Sequence, residues 1–187
     1  MKVSEAIEKR WSPRAFSKQL IARETILELL QAAATAPSCF NEQPWRYLVG
    51  FKGDETYQKI FNCMGEYNQS WTKTAPILMV GCVKKTFDLN GKQNVHARHD
   101  LGAATAYLTM KAIDQDIFVH QMAGFSTEAV KSEFELSDNF EAVTAIALGH
   151  LGDKKDLPED LAKQESPESP RHPVSEFAFN GSWGNPV

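Results

Sequence analysis

The chain has few cysteines, no long apolar run and none of the glycine-rich signatures of nucleotide-binding loops. Cys39, Cys63 and Cys82 are odd in number and widely spaced. No C-x-x-C occurs, which argues against a disulfide framework or a zinc knuckle. No apolar stretch approaches the roughly 20 residues needed to cross a bilayer. Glu5 stands where a signal peptide would begin its apolar region, so no leader is expected. Lys and Arg total 20 against 24 Asp and Glu, a net charge of -4, so no chain-wide basic field draws nucleic acid or anionic lipid. A reduced cytoplasmic protein is expected, with no nucleic-acid partner and no membrane span. Neither G-x-x-x-x-G-K-S/T nor G-x-G-x-x-G is present, so any bound phosphate must rest on side chains.

What is present fits one ordinary domain over residues 1–187, 42% hydrophobic and 24% charged. Val3, Ala6 and Ile7 share a face of a short opening helix that Pro13 would stop. Ile26, Leu27, Leu29, Leu30, Ala33 and Ala34 form a broad helical stripe ended by Pro37. A short strand is expected over 47–51, a helix over 54–63, and a strand covered on both faces over 77–83. A central helix over 97–115 carries Gly102, Ala103, Ala104 and Ala106, small residues that allow close helix packing. Strands over 117–119 and 142–148 should flank a helix around 127–134. From about residue 152, prolines and charges predict an extended arm with at most one helical turn. Phe177, Phe179 and Trp183 on that arm must return to the core or dock on another subunit. The expected class is α+β, a small mixed sheet flanked by helices.

Two clusters carry the chemistry. Arg10, Ser12 and Arg14 bracket Pro13, with Trp11 beside them. Two guanidinium forks around a hydroxyl can hold phosphate oxygens, although surface arginines beside a turn give the same spacing. One helix later comes Pro37-Ser38-Cys39-Phe40-Asn41-Glu42-Gln43-Pro44-Trp45. Here Asn41 and Gln43 can read the edge of a heteroaromatic ring, or simply satisfy the last carbonyls of the preceding helix. His96, His99 and Asp100 read as a polar helix start, since no third metal ligand is placed beside the two histidines. Ser38 and Cys39 lack a readable triad or a neighbour that would activate a thiol.

In these residues the sequence resembles the nitroreductase family of FMN-dependent oxidoreductases. The likeness rests on R-x-S-x-R, then A-P-S-x-x-N-x-Q-P-W, both complete here. It continues through Asn68, Thr74-Ala75-Pro76, Asp100-Leu101-Gly102-Ala103-Ala104, His120 to Phe125, and Arg171. The resemblance implies an intertwined homodimer with two FMN sites across its interface. Arg10, Ser12, Arg14 and Arg171 would hold the ribityl phosphate. Pro37, Ser38, Cys39 and Asn41 would reach the flavin from the partner subunit, with Gln43 close by. Asn68 would meet the polar edge of the ring, and the backbone of Met122, Ala123 and Gly124 would place an N–H near N5. No protein acid or base is implied as catalytic, and no metal. NADH or NADPH would be the reductant, and nitroaromatics, quinones or related electron-poor compounds the acceptors. The alternative is a flavin-binding carrier or sensor with little turnover. Trp71 and Ser169 stand where some members carry basic residues, a departure that bears on redox tuning.

Overall fold

The run Ile77–Lys84 is buried almost throughout and forms β2, the second of four strands in the order β1-β2-β4-β3. Its neighbours are β1 (Trp45–Phe51) and β4 (Phe140–Gly149), with β3 (Phe118–Met122) at the far edge. The two-residue period of a strand explains this burial. Leu78, Val80 and Cys82 face one core, while Ile77, Met79 and Val83 face the other. The coordinates are a computed structural model describing residues 1–187.

The second core is built by α2 (Arg23–Ala34) and α5 (Ala97–Asp114), through Ile26, Leu29, Leu101, Ala104 and Leu108. On the other face lie α3 (Glu55–Asn62) and α4 (Glu66–Thr72), through Tyr57, Ile60 and Trp71. Asp54 caps α3, its carboxylate accepting the Tyr57 N–H at 2.7 Å. Gly50 lets β1 lie against α3, because a Cβ there would stand 2.4 Å from the Tyr57 Cα. The remaining helices are α1 (Val3–Lys9), α6 (Thr127–Glu133) and α7 (Glu159–Gln164). None of the helices is long and apolar enough to cross a membrane.

The α+β class holds, with one correction of detail. All three ladders are antiparallel, so the sheet of this chain is not mixed. Alternating apolar residues locate a strand but do not encode its direction. Two further differences concern α4 and the arm. The segment Glu66–Thr72 shows no apolar stripe, yet it is helical because Asn68, Trp71 and Thr72 are buried by tertiary contacts. The arm starts as docked chain: Gly152 donates to the Ala15 carbonyl at 2.9 Å, and Leu157 and Leu161 are buried in the first core. Phe177 and Trp183 do not return to that core, and Trp183 is 93% exposed.

Candidate active site

The Arg10–Arg14 turn follows α1 directly. Arg10 caps the helix in extended geometry and its Nη1 lies 3.4 Å from the Ser12 Oγ. His120 on β3 donates through Nδ1 to the Pro13 carbonyl at 2.9 Å. A carbonyl can only accept, so this contact fixes the histidine tautomer. Burial holds the His120 pKa below its ordinary value, and the nearby Arg14 guanidinium adds to the shift. From the arm, Glu165 Oε1 accepts the N–H groups of Arg14 at 2.7 Å and Ala15 at 2.9 Å. Trp11 packs edge-on against Phe118, with ring centroids 6.3 Å apart. The turn thus lies beside β3, with its arginine side chains only partly buried.

At the end of β3, Met122 is buried while Ala123 and Gly124 are exposed. The Gly124 carbonyl accepts from Gly65 N–H at 3.0 Å and from Asn68 Nδ2 at 2.9 Å. Asn68 Oδ1 in turn accepts the Trp71 indole N–H at 3.2 Å. A Cβ on Gly124 would stand 2.5 Å from Asn68 Nδ2, so a side chain there would push Asn68 from its place. The carbonyl is therefore tied down from behind. The N–H groups of Ala123 and Gly124 donate to no acceptor in the chain. Trp71, 1% exposed, stacks on Phe16 and sits 4.6 Å from the His120 ring, so it belongs to the core and lines no open pocket.

The Pro37–Gln43 turn is built differently. Phe40, Asn41 and Gln43 all have positive φ, at 52°, 57° and 46°. Ser38 Oγ accepts the Gln43 N–H at 3.0 Å, and Gln43 Nε2 donates to the Asn41 carbonyl at 3.2 Å. The last carbonyls of α2 are met by Thr35 and Ala36, so Asn41 and Gln43 do not serve that end. Cys39 N–H donates at 3.1 Å to Asp100, which is buried in the first turn of α5. A cavity of about 250 Å³ opens here, lined by Pro37, Cys39, His96, His99 and Asp100. No three His, Cys, Asp or Glu side chains gather to hold a metal ion.

One chain therefore packs the turn carrying Arg10, Trp11, Ser12 and Arg14 against β3 through Phe118 and His120, and the same strand ends in Met122, Ala123 and Gly124. Asn68 stands directly behind that loop. No hydrogen bond joins the Pro37–Gln43 turn to this group. Arg171 is exposed and folds back on its own segment, donating to the Ser169 and Pro170 carbonyls at 3.1 and 2.9 Å. Glu165 was not singled out from the sequence. It lies among the charges and prolines of the arm, where no spacing marks it.

The profile of the nitroreductase family matches residues 7–150. The chain belongs to the nitroreductase family. A solved oxidoreductase containing FMN superimposes with a TM-score of 0.92 at 32% identity, over 99% of this chain and 94% of that one. An uncharacterized 15.4 kDa protein of Mycolicibacterium smegmatis is 32% identical over 150 residues, 76% of this chain and 99% of the relative. A putative NADH dehydrogenase/NAD(P)H nitroreductase of Methanothermobacter thermautotrophicus is 22% identical, over 80% of this chain and 78% of its own length. The nitroreductase fold thus runs through the strand that carries Met122 and the helix that carries Asp100.

Proposed function

We propose that this family member is an FMN-dependent oxidoreductase that takes hydride from NADH or NADPH. It would deliver that hydride to an organic acceptor such as a nitroaromatic, a quinone or a related electron-poor compound. Membership of the nitroreductase family makes the chain an oxidoreductase. The FMN-containing relative supports the cofactor, and the archaeal relative's name supports a nicotinamide reductant. One observation carries the reading: two adjacent backbone N–H groups without acceptors, at Ala123 and Gly124, close the strand against which a turn presenting two arginines is packed.

That donor set suits a mononucleotide. Arg10, Ser12 and Arg14 supply forks and a hydroxyl for a phosphate monoester. Ala123 and Gly124 supply N–H donors to a polar ring edge, held in place by Asn68 and Gly65. When bound, FMN supplies the hydride relay through its N5 atom. The chain itself supplies binding and orientation, and no side chain is assigned as acid or base. His120, kept neutral by burial, anchors the arginine turn to β3 and is not a proton donor in this reading.

The second half of the site is assigned to a partner copy. Pro37, Ser38, Cys39, Asn41 and Gln43 lie apart from the arginine turn in one chain, yet form an exposed turn of their own. Arg171 and the exposed Phe177 and Trp183 lie on the later part of the arm, beyond the docked Leu157 and Leu161. A homodimer with FMN at its interface would use all of them.

The test is direct. The purified protein should be yellow or take up added FMN, and should elute and scatter light as a dimer. NADH or NADPH should bleach the bound chromophore, and menadione or a nitroaromatic should restore it. Colourless protein that ignores added FMN would remove the proposal. Binding without bleaching would favour the carrier or sensor.

A further inference from the structure

Glu165 is the C-terminal cap of α7, yet its side chain leaves the arm and enters the protein, where it is only 4% exposed. Its Oε1 accepts both the Arg14 and Ala15 N–H groups. Its Oε2 is buried with no hydrogen-bond partner, 4.0 Å from Arg14 Nη1. A buried carboxylate oxygen without a donor is costly unless a cation stands near, and here that cation is Arg14. A closed bidentate pair would bring the atoms to about 2.7–2.9 Å. At the longer separation the guanidinium is attracted but its donors are not used up.

We propose that Glu165 is a positioning residue for the phosphate end of the site. It fixes the Arg14–Ala15 backbone with two charge-assisted hydrogen bonds, one from each N–H. It also restrains the guanidinium by charge, at a distance that leaves its N–H groups for a phosphate monoester. This inference rests on the flavin reading above. The flanking residues are held by other groups: Pro13 by His120, Ala15 by Gly152, and Ser17 by the His150 carbonyl. The backbone of Arg14 itself is reached by Glu165 alone. Docking of α7 does not depend on Glu165, because Leu157 and Leu161 already bury the arm in the first core.

The test compares two flavins that differ only by the phosphate. FMN and riboflavin are titrated into flavin-stripped full-length protein, with binding read from fluorescence quenching. Glu165→Ala should weaken FMN about tenfold or more, the loss expected of a charge-assisted hydrogen bond, and leave riboflavin affinity unchanged. Glu165→Gln keeps an accepting oxygen but loses the charge, and should recover only part of the loss. Should Glu165→Ala fail to fold, Glu165→Asp, one methylene too short to reach both N–H groups, carries the same comparison. Equal losses for FMN and riboflavin, or no loss for either, would overturn the proposal. Amide exchange of Arg14 and Ala15 without flavin reads the clamp by itself, and protection that survives in Glu165→Ala overturns it. Wild-type protein that binds neither flavin would sink the flavin reading and the phosphate role with it, even if exchange shows the clamp.

Discussion

The Arg10–Arg14 and Pro37–Gln43 turns both lie at the end of a helix and both contain proline, yet they are held in opposite ways. No residue of the first has a positive φ, and its ties are long-range, to His120 on β3 and Glu165 on the arm. The second concentrates three non-glycine positive-φ residues within four positions. It combines local bonds with two long ties, from Cys39 N–H to Asp100 and from Asp88 N–H to Glu42. Tertiary contacts thus dictate the first turn, which can hold a charged ligand rigidly. Stored backbone strain shapes the second, which stays exposed and suits a surface completed by another molecule.

The largest effect should come from emptying the first turn of charge. Arg10→Ala combined with Arg14→Ala removes two charge-assisted contacts of about 1.5–3 kcal/mol each. FMN affinity should therefore fall by roughly two to four orders of magnitude in a fluorescence titration, with riboflavin affinity little changed. If both flavins weaken alike, the turn does not grip a phosphate and the contrast between the turns loses its functional meaning. Next comes the support behind the free N–H pair. Asn68→Ala strands the buried Trp71 indole N–H and removes one of two donors to the Gly124 carbonyl. A loss of about 1–3 kcal/mol is expected in denaturant unfolding. An unchanged midpoint would show that Asn68 does not brace the loop.

Much of this arrangement was legible in the sequence, for stated physical reasons. The apolar run 77–83 gave a strand covered on both faces, and the stripe from Ile26 to Ala34 gave α2, because burial follows periodicity. Strand direction was not legible, since a run of Ile, Leu and Val reads the same whichever way it points. Nor was α4, whose buried Asn68, Trp71 and Thr72 form no stripe. The motif residues were legible as two clusters, and the structure keeps them as two within one chain. Arg171 was expected beside Arg10 and Arg14, but in this chain it lies on the exposed arm and bonds its own carbonyls. Glu165 escaped because one glutamate in a charged segment carries no signal until the fold buries it.

A smaller effect should follow pH through His120. Its folded-state pKa is depressed, mainly by burial, below the ordinary 6.5. Protonation therefore favours the unfolded chain: the contribution is intact above pH 6.5 and is lost as pH falls through the folded-state pKa. Stability should decline on that acid limb, and His120→Asn, whose amide can still donate to Pro13, should flatten it. Identical acid limbs for the two proteins would mean that other groups titrate there, and that the first turn is less tightly anchored than its geometry implies.

The smallest effect tests the second turn and should have the opposite sign. Phe40 has φ 52° while its side chain is 85% exposed, so it pays conformational strain with little burial in return. Glycine at this position relieves a left-handed cost of about 1–2 kcal/mol. It also frees the unfolded chain by about 0.5–1 kcal/mol and removes the edge contact with Phe87. Phe40→Gly should therefore leave the unfolding free energy unchanged or raise it by less than about 1 kcal/mol. An aromatic at a strained, exposed position should then matter in the proposed dimer. FMN retention or dimer affinity should fall even as the monomer fold holds or gains. If Phe40→Gly destabilises the isolated fold instead, the strain in this turn is offset within the chain, and its exposure no longer argues for a partner.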